Sequence, residues 1–242
     1  MIELSDKNKL DSRLENLSSN FPLIINLSNQ KGGVGKSTLA YNIADGFRTL
    51  GFKVQLLDMD IQNSCTSLNT LRENPFIDIE TIDTKTTLIE IMNSSIEDSS
   101  EVLIIDSDRC SSTLSNLAII GSDINLTPIN DRVTELLSVV DRYNQLLDEI
   151  EMSTTKDISS YVILNRVHLF AKHFEHIEEM IMDSSKMKIL RTIIRDRSIY
   201  NESLIDGRTV FEASELNGHR DAVSEILSLC YELIDIHIKK RG

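Results

Sequence analysis

Residues 27 to 42 read LSNQKGGVGKSTLAYN: three glycines between two lysines, directly after the apolar run LIINLS and directly before a helix-forming stretch. A glycine loop between a strand and a helix limits the fold more than any other part of the chain. Glycines let successive backbone N–H groups converge on phosphate oxygens, and the helix start adds its dipole. In that arrangement Gly32, Gly33, Val34, Gly35 and Thr38 form the cradle, Lys36 meets the β and γ phosphates of a nucleoside triphosphate, and the Ser37 hydroxyl ligates Mg²⁺. The strict spacing G-x-x-x-x-G-K-[ST] asks for glycine at position 30, where the chain has Gln30, and Lys31 stands inside the loop as a second ammonium. Two ammonium groups in one short loop repel each other unless phosphate charge is shared between them.

The rest of the chain supplies the strand and helix alternation that such a loop needs. After Gly51, KVQLLD completes a β-α-β unit, and EVLIID (101–106), DINLTP (123–128), SSYVILN (159–165) and MKILRTII (187–194) are further strands. Between them, Val133, Leu136, Leu137, Val140, Tyr143, Leu146, Leu147 and Ile150 recur every three and four residues, which predicts a helix over about 131–150 with one buried face. Near-continuous apolar strands alternating with helices predict an α/β doubly wound, mostly parallel sheet covered on both faces. No repeat or composition shift marks a second domain. Leu10, Leu14 and Leu17 share a helical face before Asn20-Phe21-Pro22 breaks it, so residues 1–20 read as a helical extension and 21–242 as one domain.

Several stretches together resemble the ParA/MinD family of deviant Walker A ATPases. KGGVGKST resembles its nucleotide loop, LLDMDIQNS (56–64) its DxDxQxN/S segment, VLIID (102–106) its Walker B strand, LNR (164–166) its base-recognition strand end, and RDRSIYNESLIDGRTVFE (195–212) a C-terminal family stretch. The likeness runs in the expected order from about residue 22 to 240. It implies a P-loop ATPase that binds ATP and Mg²⁺ and forms a homodimer around them, with Lys31 reaching the partner's phosphates. By the same resemblance Asp60 positions the attacking water, Asp58 supports the phosphate side, Asp106 holds Mg²⁺ with Ser37, and Asn165 and Arg166 meet the base. Asp58 and Asp60 also follow a strand end, where α/β sheets place ligand-contacting groups. Ile61 stands where the family commonly has proline, and Asp108 and Arg109 follow the Walker B aspartate where it has small residues and prolines.

The family likeness implies a role in plasmid or chromosome partition, with hydrolysis stimulated by a centromere-binding or adaptor protein and nonspecific DNA bound by the ATP-bound dimer. Lys186, Lys188, Arg191, Arg195 and Arg197, five basic residues within twelve, are the candidate DNA contacts. A formal net charge of −13 argues against a protein that coats nucleic acid everywhere and favours a second reading, a positioning factor for a protein cargo or a conjugation or secretion complex. A cluster-carrier ATPase is a third reading, but it wants paired cysteines, and Cys65, Cys110 and Cys230 are scattered; they read as buried reduced thiols.

No apolar run approaches the roughly 20 residues needed to cross a bilayer, and no secretory signal pattern is present, so a cytoplasmic, nucleoid-associated location is expected. The C-terminal helix, about Ala222 to Ile238, ends in Lys239, Lys240 and Arg241. Its apolar face reads as core, not as a membrane anchor. His168, His173 and His176 lack a third ligand in register and read as no metal site.

Overall fold

The computed structural model describes residues 22–73, 75–97, 102–107, 112–131, 133–184 and 186–241. Expectations for residues 1–20, for Asp108, Arg109 and Cys110, and for the side chains of Val133, Leu136 and Leu137 lie outside the described residues.

Among them, the chain runs β1 (Leu23–Leu27), α1 (Lys36–Thr49), β2 (Val54–Asp58), α2 (Ser64–Thr70), β3 (Asp78–Thr81), α3 (Lys85–Glu97), β4 (Val102–Asp106), α4 (Thr113–Gly121), β5 (Ile124–Ile129), α5 (Val133–Met152), β6 (Ser160–Val167), α6 (Glu175–Met182), β7 (Met187–Arg195), α7 (Ile199–Glu202), a 3₁₀ turn (Ser203–Asp206) and α8 (His219–Arg241). All seven strands are parallel, in the order β3-β2-β4-β1-β5-β6-β7.

Strand alternation divides the apolar residues between two faces. Leu23, Ile25 and Leu27 of β1 and Val102 and Ile104 of β4 pack with Leu39, Ile43 and Phe47 of α1 and with Ile226, Leu229 and Leu233 of α8. Ile24, Leu57, Leu103 and Ile105 turn the other way, onto Leu88 and Met92 of α3 and Ala118 of α4. Val162 and Leu164 of β6 meet Tyr143 and Leu147 of α5 and Ile177 of α6. Burial on both faces explains why β1 and β4 read as near-continuous apolar runs: each fully buried Leu or Ile contributes roughly 1.5–3 kcal/mol.

Strand β3 has no counterpart in the sequence reading. Its residues, DIET, are exposed or half-buried at the sheet edge, so the apolar signal is missing; its register against β2, with Asp58 opposite Thr81, makes it a strand. On α8, Ala222, Ile226, Cys230, Leu233 and Ile234 are buried against the sheet, so the apolar face lies in the core, as read from its sequence. No helix among the described residues is long and apolar enough to cross a membrane.

The parallel register carries the site. Asp58 and Asp106 are paired across β2 and β4, and Leu27 stands opposite Asp106 on the other side. The ends of β1, β2 and β4 thus deliver the glycine loop and two carboxylates to one level at the C-terminal edge of the sheet, the side where such folds bind ligands.

Candidate nucleotide site

The loop is built from the inside by Asn29, which is fully buried. Its Oδ1 accepts the backbone N–H of Lys31 at 2.8 Å and its Nδ2 donates to the carbonyl of Pro128 at 2.7 Å, tying the loop to β5. The sequence reading missed this residue, although an asparagine two positions before a turning backbone is the signature of an Asx turn. Gly33 and Gly35 adopt φ of 78° and 86°, a left-handed conformation that a side chain resists. Gly35 is the N-cap of α1 and brings no capping side chain, so the first N–H groups of α1 have no side-chain acceptor at the cap. Such a helix start is an anion site.

Lys36, 8% exposed, opens α1 and lines a cleft of about 980 Å³ together with Gly32, Gly33, Ser37, Thr38 and Asp60. Lys31 lines a different cleft, about 470 Å³, with Val34, Asn130, Asp131, Arg166 and Asp196. Gly32 and Gly33 line both clefts, so the two lysines border different clefts of one loop.

The three aspartates differ in their commitments. Asp58 is fully buried and both its oxygens are engaged, Oδ1 by the N–H of Asp60 at 3.2 Å and Oδ2 by the N–H of Thr66 at 2.8 Å. It braces the loop after β2 and caps α2. Asp60 is half-buried; its Oδ1 accepts the N–H of Gln62 at 2.9 Å, its carbonyl accepts that of Asn63 at 2.8 Å, and its side chain lines the Lys36 cleft. Asn63 makes that turn at φ 47°, which asparagine tolerates.

Asp106 is fully buried, and its Oδ2 accepts the Cys65 thiol, with Sγ at 3.4 Å. Its Oδ1 is buried without a hydrogen-bond partner. Burial raises the Asp106 pKa to about 7; Asp58 adds to the rise, and the Ser37 hydroxyl and Lys36 oppose it. A buried carboxylate oxygen lacking a donor, close to a serine hydroxyl, is a hard oxygen set that fits Mg²⁺.

Asn165 and Arg166, the residues expected to meet the base, line a pocket of about 40 Å³ with Gly35, Thr38, Arg197 and Tyr200. Asn165 Nδ2 donates to Val34 O at 2.8 Å and Arg166 Nη1 to Gly33 O at 3.2 Å, so β6 also holds the glycine loop. Arg166 sits at φ 57° where the β6–β7 register shifts, a non-glycine residue in a strained region beside a site.

The five candidate DNA contacts are not brought together. The Lys186 ammonium is paired with Glu151, and Arg197 binds Glu225 and Asp221, each at 2.9 Å. Arg195 donates to the carbonyls of His168 and Ala171 at 3.1 and 2.7 Å. Arg191 faces Glu232 at 3.6 Å. Arg195 and Arg197 line the pocket of about 40 Å³ with Arg166, whereas Lys188, with Lys156, Lys240 and Arg241, lines a separate cavity of about 460 Å³ around Tyr161. The Lys188 and Lys240 ammonium groups lie 5.9 and 5.2 Å from the tyrosine ring centre. Alternation along β7 sends neighbouring basic residues to different surroundings. The His173 ring meets Glu175 at 3.5 Å, and the described residues contain no group of three His, Cys, Asp or Glu placed to hold a metal ion. Cys65 and Cys230 are buried free thiols.

Comparison with known proteins accords with this geometry. A family model described as an AAA domain matches residues 23–171. The chromosome partitioning protein ParA of Caulobacter vibrioides is 26% identical over 149 residues, 62% of this chain and 49% of that protein. The sporulation initiation inhibitor protein Soj of Bacillus subtilis is 30% identical over 134 residues, 52% of this chain and 47% of Soj. The chain spans about half the length of the curated relatives it matches. The septum site-determining protein MinD of Pyrococcus horikoshii, solved with Mg-ADP, superposes with a TM-score of 0.62 at 15% identity, over 90% of this chain and 99% of MinD. Glycine loop, paired strand-end carboxylates, parallel sheet and sequence match converge: the chain belongs to the ParA/MinD/Soj family of deviant Walker A ATPases.

Proposed function

We propose that this chain is an ATP-dependent dimerisation switch that hydrolyses ATP to ADP and phosphate in the partition of a plasmid or chromosome. The observation that carries the reading is that the two loop lysines line different clefts: Lys36, buried, lines one and Lys31 the other. In this reading Lys31 serves the triphosphate of a facing copy.

In this reading the backbone N–H groups of Gly32 to Thr38 bind the phosphates and Lys36 neutralises their charge. Ser37 and Asp106 would hold Mg²⁺, which supplies charge neutralisation to the phosphoryl oxygens. Asp60, half-buried at the cleft mouth, orients the attacking water in line with the terminal phosphate. Asp58 acts through the backbone, fixing the loop that carries Asp60. Asn165 holds the cradle and borders the base pocket. A centromere-binding or adaptor protein accelerates hydrolysis, which releases the dimer.

Nonspecific DNA is the proposed cargo surface of the dimer. What supports it is the Lys156, Lys188, Lys240 and Arg241 cluster, where burial first and Lys188 next hold the Lys240 ammonium below its usual pKa, against Asp123 and Asp157 of the same cavity. The acidity of the whole chain and the carboxylate pairing of Lys186 and Arg197 favour the second reading, a positioning factor whose cargo is a protein.

The test is light scattering of an Asp60→Ala variant with ATP and Mg²⁺. A nucleotide-dependent dimer supports the switch; a variant that stays monomeric sinks it. A salt-dependent gel shift with arbitrary DNA separates the two cargo readings.

A further inference from the structure

The strand-end aspartate Asp106 has a thiol as its neighbour. Cys65, the second residue of α2, is fully buried, and its Sγ lies 3.4 Å from Asp106 Oδ2 and 3.5 Å from the carbonyl oxygen of Ser37. Of these two acceptors the carboxyl oxygen is the one without a helix hydrogen bond to share, whereas the Ser37 carbonyl lies within α1. The other carboxylate oxygen, Oδ1, is buried with no partner.

We propose that Cys65 is a positioning residue of the phosphate site: its thiol fixes the Asp106 carboxylate through Oδ2 and leaves Oδ1 as the oxygen that meets the cation. The inference rests on the Mg·ATP reading given above. Cys65 is itself held by a chain of contacts. Asp58 Oδ2 accepts the N–H of Thr66, the next residue, so the short helix that carries the thiol is fastened to β2 at the level where β2 pairs with β4. Asp58 and Asp106 stand opposite each other in that register, and Cys65 spans from the one's anchor to the other's oxygen. An outer residue that orients a ligating carboxylate commonly changes metal affinity by about 10- to 100-fold when removed, and a thiol, being a weak donor, belongs at the low end.

The experiment is a Mg²⁺ titration of fluorescent ATP-analogue binding to the full chain, native and with Cys65→Ala, Cys65→Val and Cys65→Ser, alongside the same titration in EDTA and a melting curve for each variant. Cys65→Ala and Cys65→Val, which lack a donor, are expected to raise the Mg²⁺ concentration at half-saturation about tenfold while leaving affinity in EDTA within about twofold of native. Cys65→Ser keeps a donor and is expected to stay within about twofold of native throughout. Valine fills most of the thiol's volume, so it carries the comparison should the alanine variant fail to fold. Equal Mg²⁺ dependence in all four proteins overturns the inference and leaves the ATPase reading intact, as does an equal shift in the serine and valine variants. Absence of Mg²⁺-dependent binding in the native chain overturns both.

Discussion

Gly35 and Asn165 are matched across 130 residues of sequence: a Cβ on Gly35 would come within 2.7 Å of Asn165 Nδ2, the atom that donates to the neighbouring Val34 carbonyl. The close approach lets β6 clamp the glycine loop. Residue 35 also has φ 86°, so Gly35→Ala faces both strain and collision. The left-handed conformation alone costs about 1–3 kcal/mol. Calorimetric titration with ATP and Mg²⁺ should show at least tenfold weaker binding for Gly35→Ala, with a lowered melting temperature.

The two lysines should separate by assay. Lys36→Ala, which removes the buried cleft ammonium, is expected to lose nucleotide affinity in the monomer by roughly two orders of magnitude, about 2.7 kcal/mol. Lys31→Ala should bind ATP within a fewfold of native yet remain monomeric by light scattering. Equal loss of affinity in both variants would place Lys31 in its own subunit's site instead.

A latch below the nucleotide cleft predicts a pH response. Arg72, just past α2, binds both oxygens of Glu212 at 2.6 and 2.5 Å, donates to Gly207 O at 3.0 Å and lies 4.5 Å above the Phe76 ring. Burial pushes the Glu212 carboxyl up, but Arg72 and the N–H of Thr209 outweigh it and hold the group below its usual range. A depressed folded-state pKa contributes stability that is complete above the unfolded value, about 4.3, and is lost as pH falls through the folded value. Melting temperature should therefore fall below about pH 4.5, and Glu212→Gln should flatten that part of the profile while lowering stability at neutral pH by about 1–3 kcal/mol.

For DNA, Lys188→Gln combined with Lys240→Gln should weaken a gel shift in the presence of ATP and reduce its salt dependence. Substituting Lys186 should leave the shift unchanged, because its ammonium is already paired with Glu151.

Packing of α1 on α8 depends on Gly46, where an added Cβ would lie 2.8 Å from Cys230 Sγ and 3.0 Å from Ile226 Cγ2. Gly46→Val should cost about 1–3 kcal/mol by overpacking. Thermal unfolding should fall by about 2–4 °C per kcal/mol in a chain of this length, with no change in nucleotide specificity.

Much of this was legible beforehand where one residue type signals its own role. The near-continuous apolar runs of β1 and β4 announced buried parallel strands, and the glycines before Lys36 announced a loop that a helix follows. Strand β3 was invisible, because an edge strand with polar faces carries no hydrophobic pattern and exists only through pairing with β2. Cys65 was equally silent, since its role is a contact to Asp106, and Asn29 signalled only its local turn and not its tie to Pro128, far away in sequence.

The basic residues of β7 mark the boundary most clearly. A count of charge along 186–197 suggests one surface, yet strand alternation and the carboxylates of α5 and α8 assign Lys186, Arg191 and Arg197 to ion pairs and leave Lys188 to join Lys156 and Lys240. Sequence alone determined the fold class, the order of most strands and the phosphate loop, because backbone freedom and burial are local properties that residue type encodes. Tertiary structure alone decided which carboxylate oxygen is hydrogen-bonded and which is not, which cleft each lysine lines, and which cations lie together. Those depend on distances between segments that only the packed sheet brings side by side.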